Sequence, residues 1–555
     1  MIAKLVIQAV CTLILAAGPV PPVLSVNVKD NTLVGDVLTV TAMASSEAGI
    51  TRVEFSVDDQ LKATVLKRPF EYKWDTIDEE EGRHTLIVAA FDTDGKTATK
   101  RIKLEVDNGL SMGVKPHADK GLAAFRKADF DTAFLEGRKA YRIKNSDPDA
   151  IRAMAAGVGG RGDINRAIDL LEKPQNINNQ VIGDPKIFPL ADKDSLEVRG
   201  YFHLRRAALA PDKAAAPELA LVQDLGRRSM AIRAAETKAM HPAPYKTTAE
   251  QFVVGDALFA QGAFEGALEA YRAGPAPAKD TSSVNHQALA LIMIDRQVEA
   301  ETLLQDQITS GKANDATHAI LGAIYLRQHK FSRARQEADG PAQRKSLIGT
   351  LVMAHGDLAQ RDFRGCIDYL KQLLEKADTV EVHYLASALA MDGKDLSKAA
   401  ASAMEAISRS PALIEPYVLR AFQLATLVPT EGINQALPIF ELAIQRDPKN
   451  QEARMGRATI LMQQKKFKTA EPIIRELSRE DRLSADVWVG MAALSAEEND
   501  RIKVMEQLAQ AKRLDPELFP DTLVPRMPEF LVRVARYRRP PLLTPALLAI
   551  EESPK

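Results

Sequence analysis

The sequence predicts two fold classes in one chain, an all-β sandwich followed by a long all-α array of paired helices. Two observations lead to this prediction. Between residues 20 and 108, apolar and polar side chains alternate with a period of two, as they do in strands with one buried face. Beyond Asn108 the apolar period becomes about 3.6 residues, and the helical pattern recurs about every 34 residues.

The composition is that of a soluble globular protein and excludes several classes of function. The chain has 555 residues, too many for one core, and 46% of them are hydrophobic. Its 73 basic and 74 acidic residues give a net charge of -1, which offers no electrostatic reason to bind nucleic acid. Its two cysteines, Cys11 and Cys366, exclude a four-cysteine metal site, and we expect Cys366 to be buried. We expect no cofactor.

Residues 1–18 are typical of a secretory signal peptide. Lys4 precedes an apolar run at 5–15, and small residues follow at 16–18. The run is too short to span a bilayer comfortably. We therefore expect an exported protein that is periplasmic, on the cell surface or secreted. An uncleaved signal segment is the alternative, and it would be the only contact with a membrane.

Residues 20–108 contain about seven short predicted strands, separated by turn residues. The clearest strands are 37–42, 52–57, 70–74, 84–91 and 97–106. Asp92 to Lys96 supplies a hairpin turn because Asp and Gly tolerate positive φ. This pattern predicts a β-sandwich.

Three stretches of this domain, 53–58, 69–76 and 82–86, resemble the bacterial Ig-like family. Asp92 and the Asp94-Gly95 pair of the hairpin turn agree with the same family pattern. The resemblance implies an Ig-like sandwich that needs no disulfide. It also implies a role as a spacer or an adhesive module.

A small residue recurs on the second helix of each predicted pair, three positions after an aromatic or aliphatic side chain. The aromatic examples are Phe130 with Ala133, Phe264 with Ala267, Phe331 with Ala334, and Phe467 with Ala470. Ala300 and Ala334 lie 34 residues apart, as do Ala436 and Ala470. A small residue at a helix crossing lets two backbones approach closely, so the pattern predicts stacked helix pairs.

These positions resemble the tetratricopeptide repeat (TPR), most clearly at 251–267 and 321–334 and around Trp488. The resemblance implies that about ten pairs stack into a superhelical solenoid, whose concave face holds an extended peptide or a helix. The predicted divisions are regular repeats at 116–174 and 248–516, degenerate helical repeats with a loop at 175–247, and a C-terminal cap or tail at 517–555, which includes a basic helix at 533–539.

Three short motifs match functional patterns without the context that those functions require. Residues 157–162 match the dinucleotide-binding pattern G-x-G-x-x-G but follow a predicted helix. Ser111 lies in a G-x-S-x-G pattern at 109–113, within a predicted interdomain linker. Residues 161–163 spell Arg-Gly-Asp at a predicted turn. We predict no catalytic, cofactor-binding or metal-ligating residue.

We expect a non-enzymatic scaffold that binds other proteins through the helical array. The residues predicted to line the concave face are Phe252, Asp256, Phe259, Asn285, Leu289, Ile292, Met455, Thr459 and Met462. Because they are mainly apolar, they favour an apolar or helical target over an acidic peptide tail. The alternative is that many of them only pack against the next turn of the superhelix.

Two other functions stay open at this point. In the first, the Ig-like domain binds a surface or a carbohydrate, and the helices act as a spacer. In the second, the chain is an enzyme whose active site lies in the degenerate region between Pro174 and Lys246.

Overall fold

The computed structural model describes residues 20–177, 180–182, 185–209, 215–274, 280–427, 431–514 and 540–552. The chain divides into two compact units, Met1–Leu190 and Ala191–Lys555. An all-β domain that ends at Val106 precedes a helical solenoid, so the predicted fold class is confirmed. The predicted signal peptide at 1–18 and the predicted basic helix at 533–539 lie outside the described residues.

A sandwich of eight strands forms the first part of the first unit. The strands are β1 (Val23–Val26), β2 (Thr32–Val34), β3 (Val37–Ser45), β4 (Ile50–Val57), β5 (Gln60–Val65), β6 (Phe70–Asp75), β7 (Gly82–Asp92) and β8 (Thr97–Val106). One sheet has the strand order β1-β3-β6 and the other has the order β2-β8-β7-β4-β5. The pairs are antiparallel except for β2 with β8.

Alternation along the strands places one face of each sheet in a common core. On β4, Val53 and Phe55 are buried, and both pack in the same cluster as the fully buried Trp74 of β6. The hairpin turn between β7 and β8 is present, and the Asp92 carboxylate accepts a hydrogen bond from the backbone N–H of Asp94 at 3.1 Å. Local turn chemistry therefore ends β7 where the sequence predicts it.

Two helix pairs complete the first unit. They are α1 (Val114–Arg126), α2 (Phe130–Ile143), α3 (Pro148–Gly160) and α4 (Ile164–Glu172), and the strands β9 (Gln175–Ile177) and β10 (Gln180–Ile182) follow. The side chains of Asp129, Asp147 and Asp163 cap α2, α3 and α4, because each accepts a hydrogen bond from a backbone N–H in the first turn.

Charged side chains join α2 to the sandwich. Arg138 contacts the carboxylates of Asp75 and Asp78, the latter at 2.8 Å. Lys139 Nζ lies 2.5 Å from Asp36 Oδ1. The Arg138 and Lys139 side chains are only 15% and 9% exposed, so these ion pairs are screened less by solvent than pairs on an open surface.

Hydrogen bonds also fix the linker between the sandwich and α1. His117 of α1 is buried, and its ring nitrogens lie 2.8 Å from the Gly109 carbonyl oxygen and 2.6 Å from Glu136 Oε2. Ser111, in the G-x-S-x-G pattern, lies in a single 3-10 turn and is exposed. The sandwich and the first two helix pairs therefore form one compact unit.

The glycines at 157–162 serve helix packing. A Cβ added at Gly157, inside α3, would lie 2.4 Å from the Cα of Phe134 on α2. Only glycine therefore permits this crossing. At the end of the motif, Gly162 has a φ of +109°, and the turn leads directly into α4.

The second unit has nineteen helices among its described residues. They are α5 (Lys193–Leu209), α6 (Ala215–Met240), α7 (Thr248–Gln261), α8 (Phe264–Arg272), α9 (Thr281–Met293), α10 (Gln297–Thr309), α11 (Asp315–Arg327), α12 (Phe331–Gln343), α13 (Leu347–Ala359), α14 (Phe363–Leu374), α15 (Val380–Asp392), α16 (Leu396–Arg409), α17 (Glu415–Leu427), α18 (Glu431–Arg446), α19 (Gln451–Gln463), α20 (Phe467–Glu480), α21 (Ala485–Glu497), α22 (Arg501–Leu514) and α23 (Pro545–Glu552). From α7 to α21, the odd-numbered helices are the first members of their pairs.

First and second helices differ in how much of their surface is covered. The first helix α13 has eleven buried residues, whereas its partner α14 has three. A helix that is apolar on all sides has to be covered on all sides. The first helices therefore form an inner layer, and the second helices form an outer layer with one face in water.

The region with degenerate repeats forms the long helix pair α5 and α6, which packs against α16 and α18. A Cβ added at Gly226 on α6 would lie 2.8 Å from Pro411. Gln223 Nε2 donates to the carbonyl oxygen of Ala412 at 3.1 Å, and Gln223 Oε1 accepts from Arg446 Nε at 3.2 Å. The departure from the repeat pattern thus coincides with a contact between segments 189 residues apart.

Arg138→Ala should destabilise the first unit, because Asp75 and Asp78 lose a mostly buried cation. We expect the free energy of unfolding of residues 20–190 to fall by about 1–2 kcal/mol in urea titrations. Lys115→Ala is the matched control, since Lys115 pairs with Asp119 on an exposed helix surface, and it should cost less than about 0.5 kcal/mol. Equal losses in the two variants would contradict a junction stabilised by Arg138.

Cys366 should be unreactive in the folded chain. It is fully buried on α14, as predicted, and burial raises the pKa of its thiol to about 12. At pH 8 only about one such thiol in 10,000 is ionised. We expect a chain that begins at residue 20 to resist a thiol-specific reagent until guanidinium chloride unfolds it. Rapid labelling with an unchanged circular dichroism spectrum would show that this burial is wrong.

Candidate peptide-binding groove

The inner layer of the array contacts a segment of the same chain, residues 540–552. The segment begins without regular structure and ends in α23, which packs against α7 and α13. We use the name first-helix groove for the surface of α7, α9, α11, α13 and α15 that contacts residues 540–552. The groove and its occupant lie in the same compact unit.

Four leucines of the segment are buried in this groove: Leu542, Leu543, Leu547 and Leu548. The last three join an apolar core that also contains Phe259 of α7 and Leu385 of α15. Leu542 packs in a second cluster with Tyr384 and Leu419. Full burial of one leucine side chain contributes about 1.5–3 kcal/mol, so these contacts dominate the stability of the bound segment.

A buried glutamate fixes the start of α23. Glu381 Oε1 on α15 accepts hydrogen bonds from the backbone N–H and the hydroxyl of Thr544, at 2.9 and 2.5 Å. The Thr544 carbonyl oxygen in turn accepts the N–H of Leu548, at 3.3 Å, and so begins the helix. Burial raises the pKa of the Glu381 carboxyl, while the hydroxyls of Thr379 and Thr544 act in the opposite direction. Glu381 is 1% exposed.

Two further glutamates fix the end of α23. Glu551 Oε2 accepts a hydrogen bond from the backbone N–H of Leu347, the first residue of α13, at 2.5 Å. The Glu552 carboxylate accepts one from the hydroxyl of Ser282, in the first turn of α9. Free N–H groups and the helix dipole favour negative charge at helix N-termini. Both glutamates therefore lie at helix N-termini, where negative charge is favourable.

A cavity adjoins the groove beside the start of the segment. Its lining includes Arg327, Glu415, Arg446, Glu452, Pro540 and Leu542. Glu415 Oε2 is buried and has no hydrogen-bond partner among the described residues. Burial is the main cause that raises the pKa of the Glu415 carboxyl to about 7. The neighbouring Glu452 acts in the same direction, and Arg327 opposes the shift.

Within the described ranges, no group of three or more His, Cys, Asp or Glu side chains is placed to hold a metal ion.

Two family models match this chain. The model of the bacterial Ig domain matches residues 23–88, and the model of the tetratricopeptide repeat matches residues 433–494. The chain combines a bacterial Ig domain with tetratricopeptide repeats. No curated protein matches it.

Several solved structures align with parts of the chain. Fibronectin(III)-like modules of Clostridium thermocellum CbhA are 28% identical over 16% of this chain and 98% of their own, with a TM-score of 0.14. The APC/C hetero-tetramer Cut9-Hcn1 is 12% identical over 75% of this chain and 95% of its own, with a TM-score of 0.41. A tetratricopeptide repeat protein from Parabacteroides merdae is 14% identical over 46% of this chain and 98% of its own, with a TM-score of 0.30.

The TPR helices α7, α9 and α19 carry the nine residues predicted to line the concave face. Six of them are buried: Phe259, Asn285, Leu289, Ile292, Met455 and Met462. The three half-buried ones are Phe252, Asp256 and Thr459. Burial of the majority shows that these side chains pack within the array, and their role in binding stays a prediction.

On α7, Phe252 and Asp256 belong to a polar and aromatic cluster. The ring of Phe252 stacks on that of His286 with centroids 4.2 Å apart. Asp256 Oδ1 accepts a hydrogen bond from the Tyr271 hydroxyl at 2.7 Å. Burial raises the pKa of Asp256, and the charge of Glu552 at the end of α23 acts in the same direction. These two predicted residues therefore lie near the acidic end of the segment.

The other predicted residues have two different settings. Asn285 is fully buried and hydrogen-bonds Asn314 and Thr317, so it links α9 to the start of α11. Met455 and Met462 on α19 join a separate apolar cluster that contains Ile474. The structure thus brings the α7 and α9 residues toward residues 540–552, while the α19 methionines pack in a different part of the array.

Sequence reasoning missed the segment that occupies the groove. A helix start is readable there, because Thr544 and Pro545 have the residue types preferred at a helix cap and at the first helical position. The many prolines between 516 and 545 instead suggested a cap that closes the last repeat. No local signal relates Thr544 to Glu381, which is 163 residues earlier in the chain.

Glu415→Gln should stabilise the chain at alkaline pH and leave it unchanged at acidic pH. Because the folded-state pKa is raised to about 7, the stability that protonated Glu415 contributes is complete below about pH 4.5 and is lost as the pH rises through 7. At pH 8.5 we expect the variant to exceed wild type by up to about 3 kcal/mol in urea titrations.

The same comparison at pH 4 should give nearly equal stabilities, because Glu415 is then protonated in the folded and the unfolded chain and glutamine mimics the protonated acid. Glu375→Gln is the matched control, since Glu375 is exposed on a helix end, and its difference from wild type should be the same at both pH values. If Glu415→Gln changed the free energy of unfolding by the same amount at both pH values, the pKa of Glu415 would not be raised in the folded chain.

Proposed function

We propose that this chain is an exported, non-catalytic scaffold that binds protein partners through the first-helix groove of its tetratricopeptide repeats. The observation that carries the proposal is the occupancy of that groove by residues 540–552, a peptide that is part irregular and part helical. A surface that buries four leucines and hydrogen-bonds both ends of a peptide has the chemistry of peptide recognition.

The same contacts define the class of ligand. Apolar side chains fill the groove, and the polar contacts at its ends are few and directional. We therefore propose an apolar, partly helical target, which agrees with the expectation from the sequence. Among the predicted lining residues, we propose the half-buried Phe252 and Asp256 as direct contacts, and Thr459 as a contact for a longer ligand.

The non-catalytic and exported character of the scaffold rests on its modules and on its first residues. Bacterial Ig domains and tetratricopeptide repeats are both typical of binding and spacing modules, and the Ig domain is typical of extracellular and surface proteins. In the described parts of the chain, no helix has the length and apolar character to cross a membrane. The apolar run at 5–15 supports export through a signal peptide.

Residues 191–555, used as an affinity bait on envelope and culture fractions, should retain a specific protein that residues 20–190 do not retain. The two baits correspond to the two compact units, so neither cuts through the ion pairs of Arg138 and Lys139. The retained protein is identified by mass spectrometry, and its binding to the purified full chain is then measured by calorimetry.

Retention by residues 20–190 alone would favour adhesion through the Ig domain, with the array as a spacer. A glycan array with the same fragment then tests for a carbohydrate ligand. Retention by neither bait, and none by residues 191–555 with Leu547→Asp and Leu548→Asp, which place charges on the buried side of α23, would remove the support for a scaffold.

A further inference from the structure

We infer that residues 540–552 are an internal ligand of the first-helix groove, which a partner peptide of the same chemistry displaces. This inference rests on the proposed function and specifies the ligand. The partner presents leucines that match Leu542, Leu543, Leu547 and Leu548, a threonine followed by proline at the start of a short helix, and two carboxylates at its end.

The groove makes specific contacts to the beginning of that helix. Glu381 lies on the floor of the groove at 1% exposure, and one of its oxygens accepts both hydrogen bonds from Thr544. The other oxygen, Oε2, is buried and has no hydrogen-bond partner among the described residues. A buried carboxylate is costly unless donors reach it, so Glu381 selects a peptide that brings a hydroxyl and a free N–H together.

The charged residues at the end of α23 are unfavourable in an isolated helix but favourable in the groove. Glutamates at a helix C-terminus oppose the dipole of their own helix, yet Glu551 and Glu552 are placed there. Each instead contacts the N-terminal turn of a repeat helix, at Leu347 of α13 and Ser282 of α9. The two carboxylates therefore stabilise the bound state specifically.

The length of α23 supports exchange. It has eight residues, well below the length at which an isolated helix is stable in water. Leu547 and Leu548 are buried, whereas Ala546, Ala549 and Ile550 are exposed, so the apolar contacts of the helix with the repeats come from one side. A segment of this kind orders when it binds and loses its helix when it leaves, as displaceable peptide ligands do.

Because residues 540–552 are covalently attached to the repeats, they compete strongly with any free peptide for the groove. A peptide tethered to its own site acts at an effective concentration of the order of millimolar, whereas a free peptide competes at its actual concentration. The intact chain should therefore bind a free copy of residues 540–552 weakly. Release of the internal copy should restore binding without any change in the groove.

The test uses the full chain from residue 20 and a fluorescent synthetic peptide with the sequence of residues 540–552, followed by fluorescence anisotropy. The release variant, Leu547→Asp with Leu548→Asp, places charges at two buried positions of the segment. We expect it to bind the peptide at least about 50-fold more tightly than wild type. The matched control is Ile550→Asp, at a position of the same helix that is 41% exposed, and it should bind as wild type does.

A second variant removes polar contacts only. Thr544→Val with Glu551→Gln loses the hydroxyl contact to Glu381 and the charge at α13, and we expect a gain in peptide binding of about 10-fold. This variant decides the question if the double aspartate variant does not fold. A peptide that carries Thr544→Val should bind the release variant several-fold more weakly than the unchanged peptide does.

Three results would overturn the inference. The release variant keeps its circular dichroism spectrum and unfolding midpoint but binds the peptide no better than wild type. The polar variant shows no gain. Light scattering shows wild type to be a dimer that dissociates in the release variant, in which case the occupant comes from a second copy.

The failure of this inference is distinguishable from failure of the scaffold function. A partner that was captured by residues 191–555, and that binds wild type and the release variant with equal affinity, leaves the scaffold intact and overturns the internal ligand. A partner that binds the release variant more tightly by the same factor as the peptide supports both.

Discussion

The structure of the second unit depends on the need to cover first helices that are apolar on nearly every side. Their own second helices cover one side, and neighbouring repeats cover two more. The remaining inner side is covered in part by residues 540–552, whose leucines join the same core as Phe259 and Leu385. Because burial of apolar surface is the main favourable term in folding, the inner layer cannot be left open without loss of stability. Segments distant in sequence are therefore recruited to it.

Because the first helices are covered on nearly every side, the few carboxyl groups that they carry become buried. Glu381 lies in the apolar groove and Glu415 beside a polar cavity, and burial of the carboxyl group raises the pKa of both. Glu381 obtains two donors from Thr544, whereas Glu415 Oε2 faces a cavity without a hydrogen-bond partner among the described residues. Buried carboxyl groups of this kind cost free energy, which is offset by the packing around them.

The first unit is held together differently. Its sandwich has an apolar core around Trp74, but its polar contacts with α2 include ion pairs from Arg138 and Lys139 and a hydrogen bond from Arg142 to the Glu79 carbonyl oxygen. Charged pairs are directional and fix orientation, whereas apolar repeat packing is tolerant of sequence change. The Ig domain is therefore oriented by a few residues, while the array is held by many equivalent ones.

The sequence alone determined the elements that depend on local patterns. Alternation at 52–57 predicted β4, small residues such as Ala334 predicted the helix crossings, and Asp92 predicted the hairpin turn. Only the tertiary structure decided which distant segments meet, such as Gly226 with Pro411. It also decided that residues 540–552 occupy the groove, although Thr544 and Pro545 marked a helix start. The reason is physical, because periodicity reports which face of a helix is buried but not which segment covers it.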